Sequence, residues 1–133
     1  IYRSSTERAI KDKIVFAVSQ QSGSDARAWL LSIARDPRED LEIRKRAIFW
    51  IAQSGGTGLP ELFSLYDRIE ERAIREQLIF AYSQRQERGA VDKLIEIARS
   101  DKDPELRKKA IFWLSQSRDP RVAAFLEEML TKP

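Results

Sequence analysis

Leu106-Arg107-Lys108-Lys109-Ala110-Ile111-Phe112-Trp113-Leu114-Ser115-Gln116 is the stretch whose reading decides the fold. Leu106, Ala110, Trp113 and Leu114 stand at i, i+4, i+7 and i+8, the spacing of one face of an amphipathic helix. Its core recurs three times upstream, as Ile14-Val15-Phe16-Ala17-Val18-Ser19-Gln20, Ala47-Ile48-Phe49-Trp50-Ile51-Ala52-Gln53 and Leu78-Ile79-Phe80-Ala81-Tyr82-Ser83-Gln84. The phenylalanines follow one another at steps of 33, 31 and 32 residues. A repeat of that length marks a stack of supersecondary units, each burying its apolar face against its neighbours.

Between these helices lie second apolar patterns: Trp29 to Ala34, Leu62 to Tyr66 and Leu94 to Ala98, with Phe125 to Leu130 closing the chain. Each unit is therefore a pair of antiparallel helices, about eight helices in all, with no sheet. Asp103-Pro104 and Asp119-Pro120 each set a capping carboxylate before a proline at the first helical position, so helices are expected to begin there. Gly23, the cluster Gly55-Gly56-Thr57-Gly58 and Gly89 follow the phenylalanine helices, where a left-handed terminating residue is expected. The turn Asp67-Arg68-Ile69-Glu70-Glu71 has neither proline nor glycine, so its boundaries are the least marked. The expected organisation is a single repeat domain over 1–133. A phenylalanine helix over about 6–21 comes first, then hairpins over about 24–54, 59–85 and 89–117, and a closing helix over about 120–130.

The pattern Leu106-Arg107-x-x-Ala110-x-x-x-Leu114, followed by Asp119-Pro120-x-Val122 and an apolar helix, resembles the HEAT repeat. Ile10-Lys11, Ile43-Arg44 and Ile74-Arg75 match its Val-Arg element, so the resemblance spans essentially the whole chain. Serine or alanine stands for the usual glycine at Ser19, Ala52, Ser83 and Ser115, and Trp50 and Trp113 occupy a position where a small residue is common. The resemblance implies a right-handed α-α superhelix, a solenoid whose second helices line a concave surface. The histidine of the ankyrin signature and the Trp-x-x-Leu-Gly-x-x-Tyr of tetratricopeptide repeats are both missing. The phenylalanine helix at the start has no first-helix partner, so the chain reads as beginning within a repeat.

Composition narrows function by exclusion. The chain has 133 residues, enough for an independent core, with 24 Lys+Arg against 21 Asp+Glu and a net charge of +3 spread over a mixed surface. It contains no histidine and no cysteine, so a Cys/His zinc site, a thiol nucleophile, a haem histidine, a Ser-His-Asp triad and a disulfide framework all lack their atoms. The longest apolar run, Ala47 to Ala52, is far short of the roughly 20 residues that cross a bilayer. Ile1 to Thr6 shows no basic start before an apolar signal core, and the chain reads as an excised or processed soluble piece, cytoplasmic or exported. A monomer is expected.

At about 100° per residue the buried stripe of the last repeat centres near Ala110, and Phe112 falls almost opposite it. By register, the outward face of the second helices carries Phe16, Phe49, Phe80 and Phe112 beside Gln20, Gln53, Gln84 and Gln116, with Lys45, Glu76 and Lys108 alongside. Such a face suits recognition of a protein or an extended peptide: rings supply apolar area and amides bond backbone. Two plainer readings stand beside it, rings packed between repeats and glutamines at solvated helix ends. Trp50, Trp113, Trp29, Phe63 and Phe125 read as core. Arg44, Arg75 and Arg107 lie at the margin of the stripe and read as bridges to groups near the inter-helix turns around Asp36, Asp67 and Asp101.

Nucleic-acid binding is the alternative. Lys45-Arg46 and Lys108-Lys109 offer basic points and the aromatics could stack on bases, but Asp12 and Glu76 interrupt the track. An enzyme would have to work with carboxylates, tyrosines and lysines. Its candidate pairs, Glu39-Asp40, Glu70-Glu71 and Glu127-Glu128, are sequence neighbours that point about 100° apart on a helix. No catalysis, cofactor or metal is expected.

Overall fold

The computed structural model describes residues 2–21, 23–53, 59–85 and 88–131, with side chains throughout except at 2–6, 24 and 59. Eight α-helices occupy these residues and no strand is found among them: α1 (Tyr2–Ser19), α2 (Ser24–Arg35), α3 (Leu41–Gln53), α4 (Leu59–Arg68), α5 (Arg72–Ser83), α6 (Arg88–Ser100), α7 (Pro104–Leu114) and α8 (Pro120–Thr131). The phenylalanine helices are α1, α3, α5 and α7, and the intervening patterns form α2, α4, α6 and α8.

The helices start where side chains can satisfy the first free amides. Asp103 accepts from the Glu105 amide at 2.9 Å with Pro104 at the first helical position, and Asp119 accepts from the Arg121 amide at 2.9 Å ahead of α8. Asp40 does the same for α3 through the Glu42 amide at 2.9 Å. The turn without proline or glycine is the three-residue stretch Ile69, Glu70 and Glu71 between α4 and α5. Gly23 precedes α2 at φ 124°, a conformation that L side chains rarely adopt. Gly89 does not terminate a helix: it lies in the first turn of α6, because the chain re-enters a helix at Arg88. The cluster Gly55 to Gly58 lies outside the described residues.

The chain divides into two compact units, Ile1–Leu78 and Ile79–Pro133, with the boundary inside α5. The expected single domain thus stands beside a division that no linker marks. In the first unit α1 and α2 pack on α3, and the core includes Val15, Leu30, Ala34, Ile43, Ile48 and Ile51. In the second, α6 packs on α7 and α8, burying Leu94, Ile97, Leu106, Leu114, Val122 and Phe125. Each such side chain contributes about 1.5–3 kcal/mol on leaving water. Trp29, expected in the core, is 37% exposed: α2 buries the stripe of Leu30 and Ala34, and Trp29 projects from its flank. Phe63 is half-buried.

The repeated arginines close the hairpins. Arg44 is buried to 2% and its Nε donates to the Ala34 carbonyl at 3.1 Å, while Nη1 donates to Glu71. Arg75 donates to the Ile69 carbonyl at 2.7 Å and Arg107 to the Asp101 carbonyl at 2.6 Å. Each joins the second helix of a hairpin to a carbonyl at or just beyond the end of the first, supplying a donor for an acceptor that the helix leaves unpaired. The Arg44 hydrogen bond also holds the Glu71 carboxyl below its ordinary range.

Candidate aromatic recognition face

The rings on the outward faces form two matching triads. In the first unit the Trp50 ring on α3 meets Phe16 of α1 edge to face at 5.2 Å and its own neighbour Phe49 at 5.0 Å. In the second, Trp113 on α7 meets Phe80 of α5 at 5.1 Å and its neighbour Phe112 at 5.0 Å. The interplanar angles agree as well, 65° and 81° against 66° and 81°. Edge-to-face pairs at this separation contribute about 0.5–1.5 kcal/mol beyond area burial. The tryptophans, expected in the core, are half-buried and bridge the phenylalanines of successive second helices.

Packing between repeats and an outward aromatic face therefore coexist. Phe16 and Phe112 remain 49% and 55% exposed, whereas Phe49 and Phe80 are half-buried. The sequence does carry a sign of the bridging. The residue after each phenylalanine alternates Ala17, Trp50, Ala81, Trp113, so every other helix of the set carries the indole.

The glutamines follow a local rule. Ser19, Ser83 and Ser115 donate their hydroxyls to the carbonyls of Phe16, Phe80 and Phe112, each at 2.5 Å, three residues back. Gln20, Gln84 and Gln116 then donate a side-chain N–H to those hydroxyls at 3.1, 3.2 and 3.3 Å. The serine occupies a carbonyl at the end of its helix and the glutamine orders the serine, so the pair acts as a C-terminal stop. Gln53 follows Ala52, has no such hydroxyl, and is exposed. The side-chain oxygens of Gln84 and Gln116 accept nothing from a described residue, and both line a cleft of about 610 Å³ in the second unit. Trp113, Arg85 and Arg118 share its lining at the C-terminal ends of α5 and α7.

The charged flank is largely paired. Lys45 lies 3.6 Å from Glu42, Lys108 lies 3.4 Å from Glu105, and Arg46 lies 3.5 Å from Asp12. Glu76 is half-buried on α5. Elsewhere the strongest electrostatic feature is structural: Arg121 holds the Asp119 carboxyl down to about 2, chiefly by hydrogen bonding to it, and reaches Asp92 on α6. No grouping of three or more acidic residues suited to a metal occurs among the described residues. None of the described helices is long and apolar enough to cross a membrane.

Helical hairpins in a fixed register, each closed by an arginine, define an α-solenoid repeat protein. The family model for HEAT repeats matches residues 59–133, and the chain belongs to the HEAT-repeat family. No curated protein matches it, and no solved structure does. HEAT repeats generally serve as protein-interaction scaffolds and are typically non-catalytic.

Proposed function

We propose that this chain is a non-catalytic scaffold that binds a protein or an extended peptide through the outward face of its second helices. One observation supports the reading: in the second unit a half-exposed aromatic triad, Phe80, Trp113 and Phe112, adjoins a cleft lined by Gln84 and Gln116, whose amide oxygens accept nothing from a described residue. Rings that are already packed against one another lose little conformational freedom when covered, which suits them as anchors. The amide oxygens accept backbone N–H groups of a strand-like segment, and Arg118 at the rim favours an acidic or carboxylate-bearing one. In the first unit Phe16, Trp50 and Phe49, with Gln20, Gln53 and Lys45 on the same helices, supply a second patch of the same chemistry.

The test is selection from a displayed random-peptide library. We expect binders whose affinity falls at least tenfold with Phe112→Ala and with Gln116→Ala, both at exposed positions. A library that yields no binder, or binders indifferent to both substitutions, ends this reading. The nucleic-acid alternative draws no support from the flank, where Lys45, Lys108 and Arg46 each face a carboxylate. Absence of a mobility shift with single-stranded DNA or RNA at low salt is expected.

A further inference from the structure

The cleft at the C-terminal ends of α5 and α7 holds a charge that the fold does not answer. Two arginines, Arg85 and Arg118, and one carboxylate, Asp119, line it. Both oxygens of that carboxylate are taken by the Arg121 side chain, at 3.2 Å and 2.8 Å, and the Arg121 amide adds a bond at 2.9 Å. Asp119 is thus committed to the start of α8 and does not serve Arg118. The Arg118 side chain is exposed and donates to no described residue. It differs in this from Arg99, Arg107 and Arg121 of the same unit, which are held by Glu128, the Asp101 carbonyl and Asp119.

The rest of the lining constrains what sits beside Arg118. Gln84 and Gln116 each spend a side-chain N–H on Ser83 and Ser115, and their oxygens remain as acceptors for N–H groups. Val91 of α6 and Trp113 of α7, both half-buried, add apolar surface. The C-terminal ends of α5 and α7 carry partial negative charge, which repels an anion there and leaves the arginine in the turn before α8 as the place for one. A peptide N-terminus would bring an ammonium against that arginine. A volume of about 610 Å³ lies within the roughly 300–1,000 Å³ of small-ligand sites, so the cleft suits the end of a chain better than its length.

We propose that this cleft captures the free C-terminal end of a partner protein. The terminal carboxylate pairs with Arg118, the last backbone N–H groups meet the Gln84 and Gln116 oxygens, and an apolar last side chain lies against Val91 and Trp113. The inference rests on the recognition reading and narrows it to one end of the partner. A guanidinium binds a carboxylate through two parallel N–H···O bonds, which fixes the direction in which the chain enters.

Two displayed random-peptide libraries of equal length test it, one ending in a free C-terminus and one with that terminus fused to the carrier. Binders with an apolar last residue are expected from the first library, and few or none from the second. A synthetic binder from the first should lose about tenfold or more in affinity when its terminal carboxylate is amidated, and Arg118→Gln should lose about as much. Against Arg118→Gln the acid and the amide should bind alike, because the pair is already broken. Arg118 is exposed, and far-ultraviolet circular dichroism checks that the variant keeps its helices. Equal yields from the two libraries, or an amide that binds as well as the acid, overturn this inference and leave the recognition reading standing. An amidation loss undiminished in Arg118→Gln overturns it too, since the carboxylate then sits on another group. Two empty libraries end both readings.

Discussion

α1 and α3 carry the same kind of apolar stripe at the same register, yet Ile43 and Ala47 of α3 are sealed while Ile10 and Ile14 of α1 face outward. The side chains do not account for the difference, since isoleucine stands at the first of these positions in both. What differs is the neighbour. α3 lies against α2, whose Leu30 and Ala34 close over it, and among the described residues α1 has only the later helices α2 and α3 to pack on. Within a solenoid, burial is thus a property of a position in the stack, and a repeat becomes core only when both of its flanks are occupied.

Substitutions at equivalent positions should separate the two helices. The largest effect is expected at the stripe itself: Ile43→Ala should lower unfolding stability by about 2–5 kcal/mol because it opens a cavity. Ile10→Ala, measured at low micromolar concentration, should stay within about 0.5 kcal/mol because the side chain is half in water. Chemical denaturation of both variants beside the parent provides the comparison. Equal losses would mean that α1 is covered in solution even when dilute.

The arginine position comes next. Arg44→Ala leaves the Ala34 carbonyl without its donor and should cost about 2 kcal/mol. Lys11→Ala removes an exposed ion pair, worth under about 1 kcal/mol and less in high salt. A salt titration of the two variants should therefore move the second difference and leave most of the first.

Smaller effects are expected among the aromatics. Phe80 carries the indole of the following second helix, so Phe80→Ala should cost about 1–2 kcal/mol, whereas Phe112, which is 55% exposed and meets its own neighbour Trp113, should cost about 1 kcal/mol or less. A loss at Phe80 near that of a sealed core residue would make the ring interior and weaken its place in a recognition face.

The smallest effect concerns acid. Asp119 is held at about 2 against an ordinary value of 3.8, so its stabilising bonds to Arg121 are fully present above the ordinary value and are lost as pH falls through about 2. Melting curves of the parent and of Asp119→Asn should differ at neutral pH and converge as the solution is acidified below about pH 4. A gap that persists unchanged to about pH 2 would show that the carboxylate charge is not what secures the start of α8.

The geometry of the candidate face was legible in part from the sequence. Phe112 lies opposite the buried stripe because helix periodicity alone sets that angle, and Arg44, Arg75 and Arg107 reach turn carbonyls because a residue at the stripe margin lies beside the end of the neighbouring helix. Trp50 and Trp113 were misread as core, since a tryptophan among apolar residues looks the same whether it fills an interior or bridges two rings. The alternation with Ala17 and Ala81 was the available sign. Trp29 was misread because a single helix has no way to declare how wide its covered face is.

The amino-acid sequence by itself determined the all-α hairpin repeat, the helix starts at aspartates and the exclusion of histidine and cysteine chemistry, because period, capping and atom inventory are local properties of a chain. Only the tertiary structure decided which copies of the repeated stripe are sealed and which indole reaches which ring. Those outcomes depend on contacts between residues some 30 positions apart, and four nearly identical segments carry no local mark of which neighbour each will meet.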